Sequence, residues 1–176
     1  MVMKLLMHIC CGPCAIYPLK ELRTKGFEVT GLFYNPNIHP YREYKKRGQT
    51  LKDYAQKSYF NVIWPDYPME EFIRQTAFKG KDRCVYCVTD RLKYTAKLAA
   101  NDNYDAFTTT LLYSIYQRHD LIREIGEDFS RQLGTSFYYQ DFRVGWSEGV
   151  KISREMALYR QPYCGCIYSE KERYLK

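Results

Sequence analysis

The sequence predicts one α/β domain with a doubly wound, mainly parallel sheet and a less regular C-terminal segment. First, 176 residues are enough for one domain with a substantial core but too few for two comfortable ones. Second, short apolar runs alternate with longer helical patterns, which is typical of parallel βαβ units. Third, no repeat, low-complexity tract or glycine/serine linker divides the chain. Residues 1–176 are therefore expected to form a single domain.

The elements follow one another in regular order up to residue 140. The apolar runs that predict strands cover residues 4–9, 27–33, 59–63, 106–111 and 136–140. The helical patterns between them cover residues 15–25, 40–58, 69–78, 88–100 and 115–133. Gly26 and Gly134 follow two of these helices, where C-caps favour glycine. In the irregular last part, "DFRVGWSEG" predicts a loop and residues 150–159 predict a helix.

The composition is that of a basic globular protein rich in tyrosine, with 45% hydrophobic residues, a net charge of +7 and 18 tyrosines. Basic residues interleaved with aromatic ones suit RNA, whose bases stack. The alternative is a solvated basic surface over a tyrosine-containing core. The apolar stretches fall far short of the roughly 20 residues of a membrane span. The opening "MVMKLLMHICCGPC" has one lysine and no small-residue cleavage site, so we expect a first strand and a cytoplasmic protein without membrane association.

Seven cysteines fall in three groups: "CCGPC", "CVYC" and "CGC". A secreted disulfide framework would usually have an even count in a smaller chain. In a reducing compartment, clustered thiols more often hold a metal or exchange electrons, although free cysteines also pack as small hydrophobes. The clustering therefore predicts metal or redox chemistry, with simple burial as the alternative.

The expected place for this chemistry is the carboxyl end of the sheet, where ligands of open α/β sheets bind. Cys10, Cys11 and Cys14 follow the first predicted strand, "FYNPN" follows the second and "TTTLLYS" the fourth. The first helix begins at these cysteines, and the positive end of its dipole favours thiolate over thiol.

"CVYC", from Cys84 to Cys87, is a C-x-x-C pair that suits capture of a metal or cluster. Together with Cys10 and Cys11 it provides four thiolates, enough for zinc or for an iron–sulfur cluster. The two halves are far apart in the chain, unlike the compact loops of zinc ribbons, and adjacent cysteines are awkward around one tetrahedral ion. These features favour an iron–sulfur cluster.

"YCGC" places Cys164 and Cys166 close enough for a strained, easily reduced disulfide, with Gly165 permitting the tight turn. The same pair could chelate a second metal or be incidental thiols of a tail. Cys14 is left over as an alternative ligand, a more distant thiol or a packed side chain.

Three other side chains have both a structural and a functional interpretation. His8 is by default a core histidine on the first strand, and otherwise a metal ligand or proton donor. Asp141 could ligate iron or pair with Arg143. His119 is expected on a helix face, away from the chemistry.

The motifs "HICCGPC", "CVYC" followed by Arg91, "TTTLLYSIYQ", "QDFR" and "YRQPYCGC" together resemble the epoxyqueuosine reductases of the QueH type. The resemblance runs from residue 3 to about residue 169. The family usually has proline at the position of Ile115 and often alanine at that of Gly12, differences that leave the thiols untouched.

The resemblance implies a Rossmann-like sheet of the PP-loop/HUP kind and a cytoplasmic enzyme that converts epoxyqueuosine to queuosine at the wobble position of tRNAs with GUN anticodons. It implies 4Fe-4S ligands at Cys10, Cys11, Cys84 and Cys87. It implies a redox-active pair at Cys164 and Cys166. The family is also described with an additional iron, for which the candidate ligands here are Asp141, His8, Cys14 and the Cys164/Cys166 pair. The electron donor stays open.

Removing an epoxide oxygen to leave an alkene takes two electrons and two protons and releases water. The Cys164/Cys166 dithiol could yield two electrons by closing to a disulfide, or a neighbouring iron could polarise the oxygen. For the RNA, the basic run Arg42, Lys45, Lys46 and Arg47, interleaved with Tyr41 and Tyr44, predicts contact with the tRNA backbone. The alternative is a solvated helix face.

Three rival functions remain. An iron–sulfur tRNA thiolase on a similar fold would need a serine- and glycine-rich phosphate loop for ATP, and "CCGPC" suits this poorly. A thioredoxin-like reductase would not need the extra thiols. A zinc-stabilised RNA-binding module would be colourless and inert. ATP dependence and metal identity separate these rivals from the reductase.

Overall fold

The computed structural model describes residues 2–175, and its sheet confirms the predicted fold class. The strands are β1 (Lys4–His8), β2 (Glu28–Leu32), β3 (Val62–Ile63), β4 (Ala106–Thr109) and β5 (Ser136–Phe137). They lie in the order β3-β2-β1-β4-β5, and every neighbouring pair is parallel. The chain therefore builds the sheet outward from β1 to one edge and then from β1 to the other, which is the doubly wound topology.

Within residues 2–175, seven helices surround the sheet. They are α1 (Gly12–Thr24), α2 (Tyr41–Lys57), α3 (Met69–Thr76), α4 (Arg83–Asn101), α5 (His119–Leu133), α6 (Trp146–Glu155) and α7 (Ile167–Tyr174). Helix α1 packs against α2 and α6, whereas α4 packs against α3 and α5. Short 3₁₀ turns lie at Gly80–Asp82, Thr110–Tyr113 and Phe142–Gly145. None of the helices within residues 2–175 is both long and apolar enough to cross a membrane.

The central strand β1 shows why the sheet forms. Leu5, Met7 and Ile9 belong to the larger core cluster, which also contains the apolar side of α1, whereas Leu6 belongs to the smaller cluster with Ala96 of α4. Successive side chains of a strand point to opposite faces, so a strand covered on both faces must be apolar throughout. This burial fixes β1 in the middle of the sheet and places its carboxyl end, with the first thiols, inside the molecule.

Several boundaries differ from the expectations. Helix α4 begins at Arg83 rather than at residue 88, because a 3₁₀ turn leads into it, and so the C-x-x-C pair lies within its first turns. Helix α5 begins at His119 rather than at residue 115, because residues 110–113 form a 3₁₀ turn, in which the backbone N–H of Leu111 donates to Oγ1 of Thr109. The edge strands β3 and β5 have two residues each and are shorter than predicted.

The C-terminal expectations are wrong in detail. The predicted loop "DFRVGWSEG" is a 3₁₀ turn followed by the first turn of α6, and α6 ends at Glu155 rather than at residue 159. Its end is enforced by Ala157, which has a left-handed φ of 51°. Helix α7 was not predicted. In contrast, Gly26 and Gly134 are confirmed as helix-terminating residues, with φ values of 83° and 74°.

Candidate active site

The loops after three neighbouring strands meet at the carboxyl end of the sheet, as expected. The direction of winding reverses between β1 and β4, and this switch point is where such sheets bind ligands. The backbone N–H of Cys10 donates to Oγ1 of Thr110 at 3.2 Å, which ties the end of β1 to that of β4. Asn35, which follows β2, donates from Nδ2 to the carbonyl of Ile9 at 2.8 Å.

Three thiols converge at the start of α1. The Sγ atoms of Cys10, Cys11 and Cys14 all lie within 4.8 Å of one another. Cys11 is the N-cap of α1 and Cys14 lies in its first turn, so the helix itself brings them to one side. Cys11 and Cys14 are buried, and Cys10 is partly buried. We call these three residues the N-terminal thiol group; their soft sulfur ligands could hold a metal ion.

The three thiols are not equivalent. Hydrogen bonds from Cys11 and Cys14, and a weaker one from Thr110, lower the pKa of Cys10 well below its usual value. Burial, together with the bond to Cys10, raises the pKa of Cys11, and bonds to Cys10 and Cys11 raise that of Cys14. Cys10 is therefore the first of the three to become a thiolate, the form that binds metals.

Cys84 and Cys87 lie one helical turn apart at the start of α4, with Arg91 one turn further on. Arg91 donates from Nη2 to Sγ of Cys87 at 3.1 Å and from Nε to the Cys87 carbonyl at 2.9 Å. Its guanidinium is buried and, among residues 2–175, forms no ion pair with a carboxylate. A buried charge needs a counter-charge, and the sulfur of Cys87 is the acceptor with which the guanidinium is in direct contact.

Arg91 connects the thiol groups electrostatically. Burial opposes its charge, but the charges of Cys87, Cys164 and Cys10 outweigh this effect and keep the pKa of Arg91 above its usual value. Burial raises the pKa of Cys87 to about 12, and Arg91 is the main influence in the opposite direction. The guanidinium thus lies where it stabilises negative charge on sulfurs from three separate segments.

Cys164 and Cys166, which we call the C-terminal pair, precede α7. Cys164 is exposed, and Nε2 of Gln117 is 3.5 Å from its Sγ. Cys166 is the N-cap of α7, and its Sγ accepts the backbone N–H of Ser169 at 3.4 Å. Both are free thiols, as are the other five cysteines. The redox-active disulfide therefore stays a prediction.

The structure groups the predicted ligands differently from the sequence. Cys14 lies in one group with Cys10 and Cys11. The sequence left Cys14 unassigned, although its spacing from Cys11 places it one helical turn further along. In the part of the chain that the structure describes, Cys84 and Cys87 lie outside this compact group. Their membership of one ligand set with Cys10 and Cys11 stays a prediction, with Arg91 as the link between them.

His8 has no ring nitrogen available for iron. Nε2 donates to the carbonyl of Tyr34 at 3.1 Å, so Nδ1 accepts the hydroxyl proton of Thr109 at 2.9 Å. Burial, followed by the charge of Arg91, lowers the pKa of His8 to about 4, so the ring is neutral at pH 7. His8 therefore has the hydrogen bonds of a satisfied core histidine, which is its default interpretation.

Asp141 forms an ion pair with Arg143, which is the structural one of its two predicted roles. Its carboxylate accepts the backbone N–H and the guanidinium of Arg143, and these bonds lower the pKa of Asp141 to about 2. Among residues 2–175, Asp141 is not part of the lining of the cavity described below. His119 is buried as the first residue of α5 and is likewise outside that lining.

The predicted RNA-contact face of α2 needs one correction. Arg42, Lys45 and Lys46 are exposed, but Arg47 is only 1% exposed and forms an ion pair with Glu43. Arg47 therefore cannot touch a phosphate on the surface. The four-residue spacing between Glu43 and Arg47, which favours an ion pair along a helix, was the available signal in the sequence.

A cavity of about 410 Å³ opens over the thiols. Cys10, Cys14 and Cys164 contribute to its wall, together with the buried Arg91. Sequence reasoning missed most of the remaining lining, which contains no aspartate or glutamate in the described part of the chain. It includes Tyr113, Ser114, Tyr116, Gln117, Trp146, Arg160, Gln161, Tyr163 and Arg173. Arginines, aromatic rings and amides around sulfur give a site for an anionic, aromatic ligand.

The chain is similar to known proteins over almost its whole length. A sequence profile described as "Epoxyqueuosine reductase QueH" matches residues 5–172. A protein named epoxyqueuosine reductase QueH from Dehalococcoides mccartyi is 37% identical over 177 residues, which cover 100% of this chain and 97% of that protein. The chain belongs to the QueH family. A QueH protein from Thermotoga maritima is 36% identical, with 96% of this chain and 91% of that protein covered. The resemblance drawn from the QueH motifs is confirmed at the level of the family.

Solved structures support the fold of this QueH chain. A U34-tRNA thiolase from Methanococcus maripaludis, described with its [4Fe-4S] cluster, has a TM-score of 0.61 at 12% identity. The similarity covers 98% of this chain and 64% of that one. A predicted subunit of a tRNA methyltransferase from Methanocaldococcus jannaschii has a TM-score of 0.59 at 14% identity, with 87% and 76% covered. At these identities the likeness concerns the fold alone.

Proposed function

We propose that this chain is an epoxyqueuosine reductase that acts on the wobble nucleotide of tRNAs with GUN anticodons. The observation that carries the proposal is the cavity whose wall combines thiols with arginines and aromatic rings. Its volume of about 410 Å³ lies in the usual range for small-ligand sites. Sulfur chemistry at the base of a site suited to one nucleotide is what a reductase of a modified nucleoside requires.

We propose that Cys10, Cys11, Cys84 and Cys87 hold a 4Fe-4S cluster, which when bound would supply single electrons. The donor set fits such a cluster, because the N-terminal thiol group offers close sulfurs and Arg91 offers a buried cation that pairs with no carboxylate within residues 2–175. A cluster with four thiolate ligands is anionic, and Arg91 would compensate part of that charge. Cys14 lies beside these ligands as the thiol that could replace one of them.

The reaction balances with the C-terminal pair as electron store. The epoxide takes up two electrons and two protons, its C–O bonds break, an alkene forms and one water leaves. Closure of Cys164 and Cys166 to a disulfide releases two electrons and two protons. An external reductant, whose identity is open, must then reopen the disulfide. In the alternative with a further iron, Cys14 and the C-terminal pair are the candidate ligands that remain.

The RNA is proposed to approach over the cavity and α2. Tyr116, which is 80% exposed, and Trp146 offer rings on which an extruded base can stack. Arg160 and Arg173 offer cations for the flanking phosphates. Further contacts are assigned to the exposed Arg42, Lys45 and Lys46 with Tyr41 and the half-buried Tyr44. A reducing cytoplasm is the proposed compartment, because it keeps free thiols reduced.

The experiment is an anaerobic assay of the purified, iron-reconstituted chain with tRNA that carries epoxyqueuosine. Dithionite serves as reductant, and digested nucleosides are quantified by mass spectrometry. Queuosine should accumulate without ATP. A chain loaded with iron and sulfide that forms no queuosine would contradict the proposal, and ATP-dependent sulfur insertion into tRNA would favour the thiolase instead.

A further inference from the structure

Arg47 is an unusual residue on α2, because Lys45 and Lys46 directly before it face solvent whereas its own side chain is buried. Its Nε donates to Oε1 of Glu43 at 2.7 Å. Its two terminal nitrogens point away from the helix and donate to the carbonyls of Cys164 and Tyr163, at 2.8 and 3.0 Å. A single guanidinium therefore joins α2 to the backbone of the C-terminal pair.

We propose that the Glu43–Arg47 ion pair is the positioning device that holds Cys164 and Cys166 over the site. The proposal rests on the proposed function of that pair as an electron store. Arg47 is a positioning residue and not a catalytic one, since it acts through backbone carbonyls and does not line the cavity in the described part of the chain.

Glu43 is itself held in place. The hydroxyl of Tyr159 donates to Oε2 of Glu43 at 2.7 Å, so both carboxylate oxygens have partners. A buried guanidinium with three bonds to oxygen and a carboxylate with two partners form a satisfied network, which fixes geometry more strictly than apolar packing. Replacing the pair by hydrophobic residues could keep the fold stable and still lose this geometry.

The other side of the C-terminal pair is held by the loop after β2. The backbone N–H of His39 donates to the carbonyl of Gly165 at 2.8 Å, and Nδ1 of His39 accepts the backbone N–H of Ile167 at 3.3 Å. A Cβ at Gly165 would lie 3.0 Å from Nδ2 of Asn37 and 3.4 Å from Nη1 of Arg47. Glycine between the two cysteines is what allows this close approach.

Arg47 also influences the N-terminal thiol group. Burial opposes its charge, but the hydrogen bond to Glu43 and the charges of Cys11 and Cys10 outweigh burial and raise the pKa of Arg47. The same guanidinium that holds the Cys164 carbonyl is thus within electrostatic range of the proposed cluster ligands. Arg47 therefore contacts the backbone of the C-terminal pair and also acts electrostatically on Cys11 and Cys10.

The test compares Arg47→Met and Arg47→Lys with Lys57→Met, a matched control on the exposed face of the same helix. Iron and sulfide content, kcat and KM for tRNA are measured. In substrate-free protein, the alkylation rate of Cys164 and the dithiol–disulfide equilibrium against glutathione are measured as well. Arg47→Met should keep its iron and its KM, lose about 100-fold in kcat and alkylate faster at Cys164. Arg47→Lys should recover only part of kcat, because lysine lacks the fork that reaches two carbonyls.

If Arg47→Met is too unstable to purify, Glu43→Gln keeps the shape while removing the charge that orients Arg47, and it should show the same changes at smaller size. The proposal is overturned if these variants match Lys57→Met in kcat, alkylation rate and thiol equilibrium. The alkylation and equilibrium measurements need no turnover. If the wild-type chain fails to make queuosine, the proposed function is contradicted, and these two measurements still test the role of Arg47.

Discussion

The two thiol groups of this chain are built in opposite ways. The N-terminal thiol group lies on the first turn of α1, with Cys11 only 1% exposed, and is held by the central strand of the sheet. The C-terminal pair lies on an irregular segment with Cys164 exposed, and hydrogen bonds from α2 and from the loop after β2 hold it. One group is part of the core, and the other is attached to it.

The difference suggests that the two thiol groups have separate chemical roles. The buried sulfurs of the N-terminal thiol group lie on rigid elements and suit a permanent cofactor, although Cys84 of the proposed ligand set is exposed. Exposed sulfurs in a C-x-C suit thiol–disulfide exchange, which requires access by an external reductant. Between them lies Arg91, which can compensate negative charge on either side. Substitutions in the C-terminal pair and on α2 test whether the two groups differ in this way.

The largest expected effect comes from Cys164→Ser. Because the electron store would be lost while the proposed cluster ligands stay, the cluster absorption should remain and turnover should fall to the background without enzyme. Absorption spectra, iron analysis and the queuosine assay check this outcome.

Cys166→Ser serves as the companion variant and should behave in the same way, because a disulfide needs both partners. A Cys164→Ser protein with full activity would remove that cysteine from the mechanism. Loss of the cluster in Cys164→Ser would instead assign Cys164 to the metal site. The two thiol groups would then not have separate roles.

A smaller effect is expected from substitutions on the exposed face of α2. Arg47, on the buried face of the same helix, holds the C-terminal pair. Lys45→Glu/Lys46→Glu should weaken tRNA binding, because it replaces two phosphate partners with like charges. If both contacts are lost, the slope of log K against log salt should become less steep by about 1.4, at about 0.7 for each phosphate of a single strand. Fluorescence binding titrations at several salt concentrations measure this slope.

The matched control is Lys93→Glu/Lys97→Glu, which makes the same charge change on exposed residues of α4. It should lower affinity only slightly and leave the slope near that of the wild type. Equal effects of the two double variants would mean that net charge, rather than contact with α2, governs binding.

The fold and the location of the site could be predicted because they depend on local patterns. The apolar run of β1 and the helical spacing after it place Cys10 and Cys11 at the carboxyl end of a central strand. The caps at Gly26 and Gly134 follow from backbone conformation alone. These features need no knowledge of distant partners, and the structure bears them out.

The parts that the sequence did not reveal depend on partners far away in the chain. Arg47 sits in a basic run that resembles a surface, and its burial is decided by carbonyls more than a hundred positions away. Helix α7 is short and polar, and its contact with Arg83 through Glu172 and Tyr168 has no local signature. The cavity lining combines α1, α4, α6, α7 and several loops, so its members could be named only from the folded chain.

Metal analysis after anaerobic purification shows whether thiolates from two remote segments share one iron–sulfur cluster. The protein should be coloured and should hold about four iron and four sulfide per chain. Cys87→Ser should lose the cluster, and Cys14→Ser should keep it. A colourless zinc protein, or a Cys87→Ser variant with its iron and sulfide intact, would show that the two segments hold no common cluster.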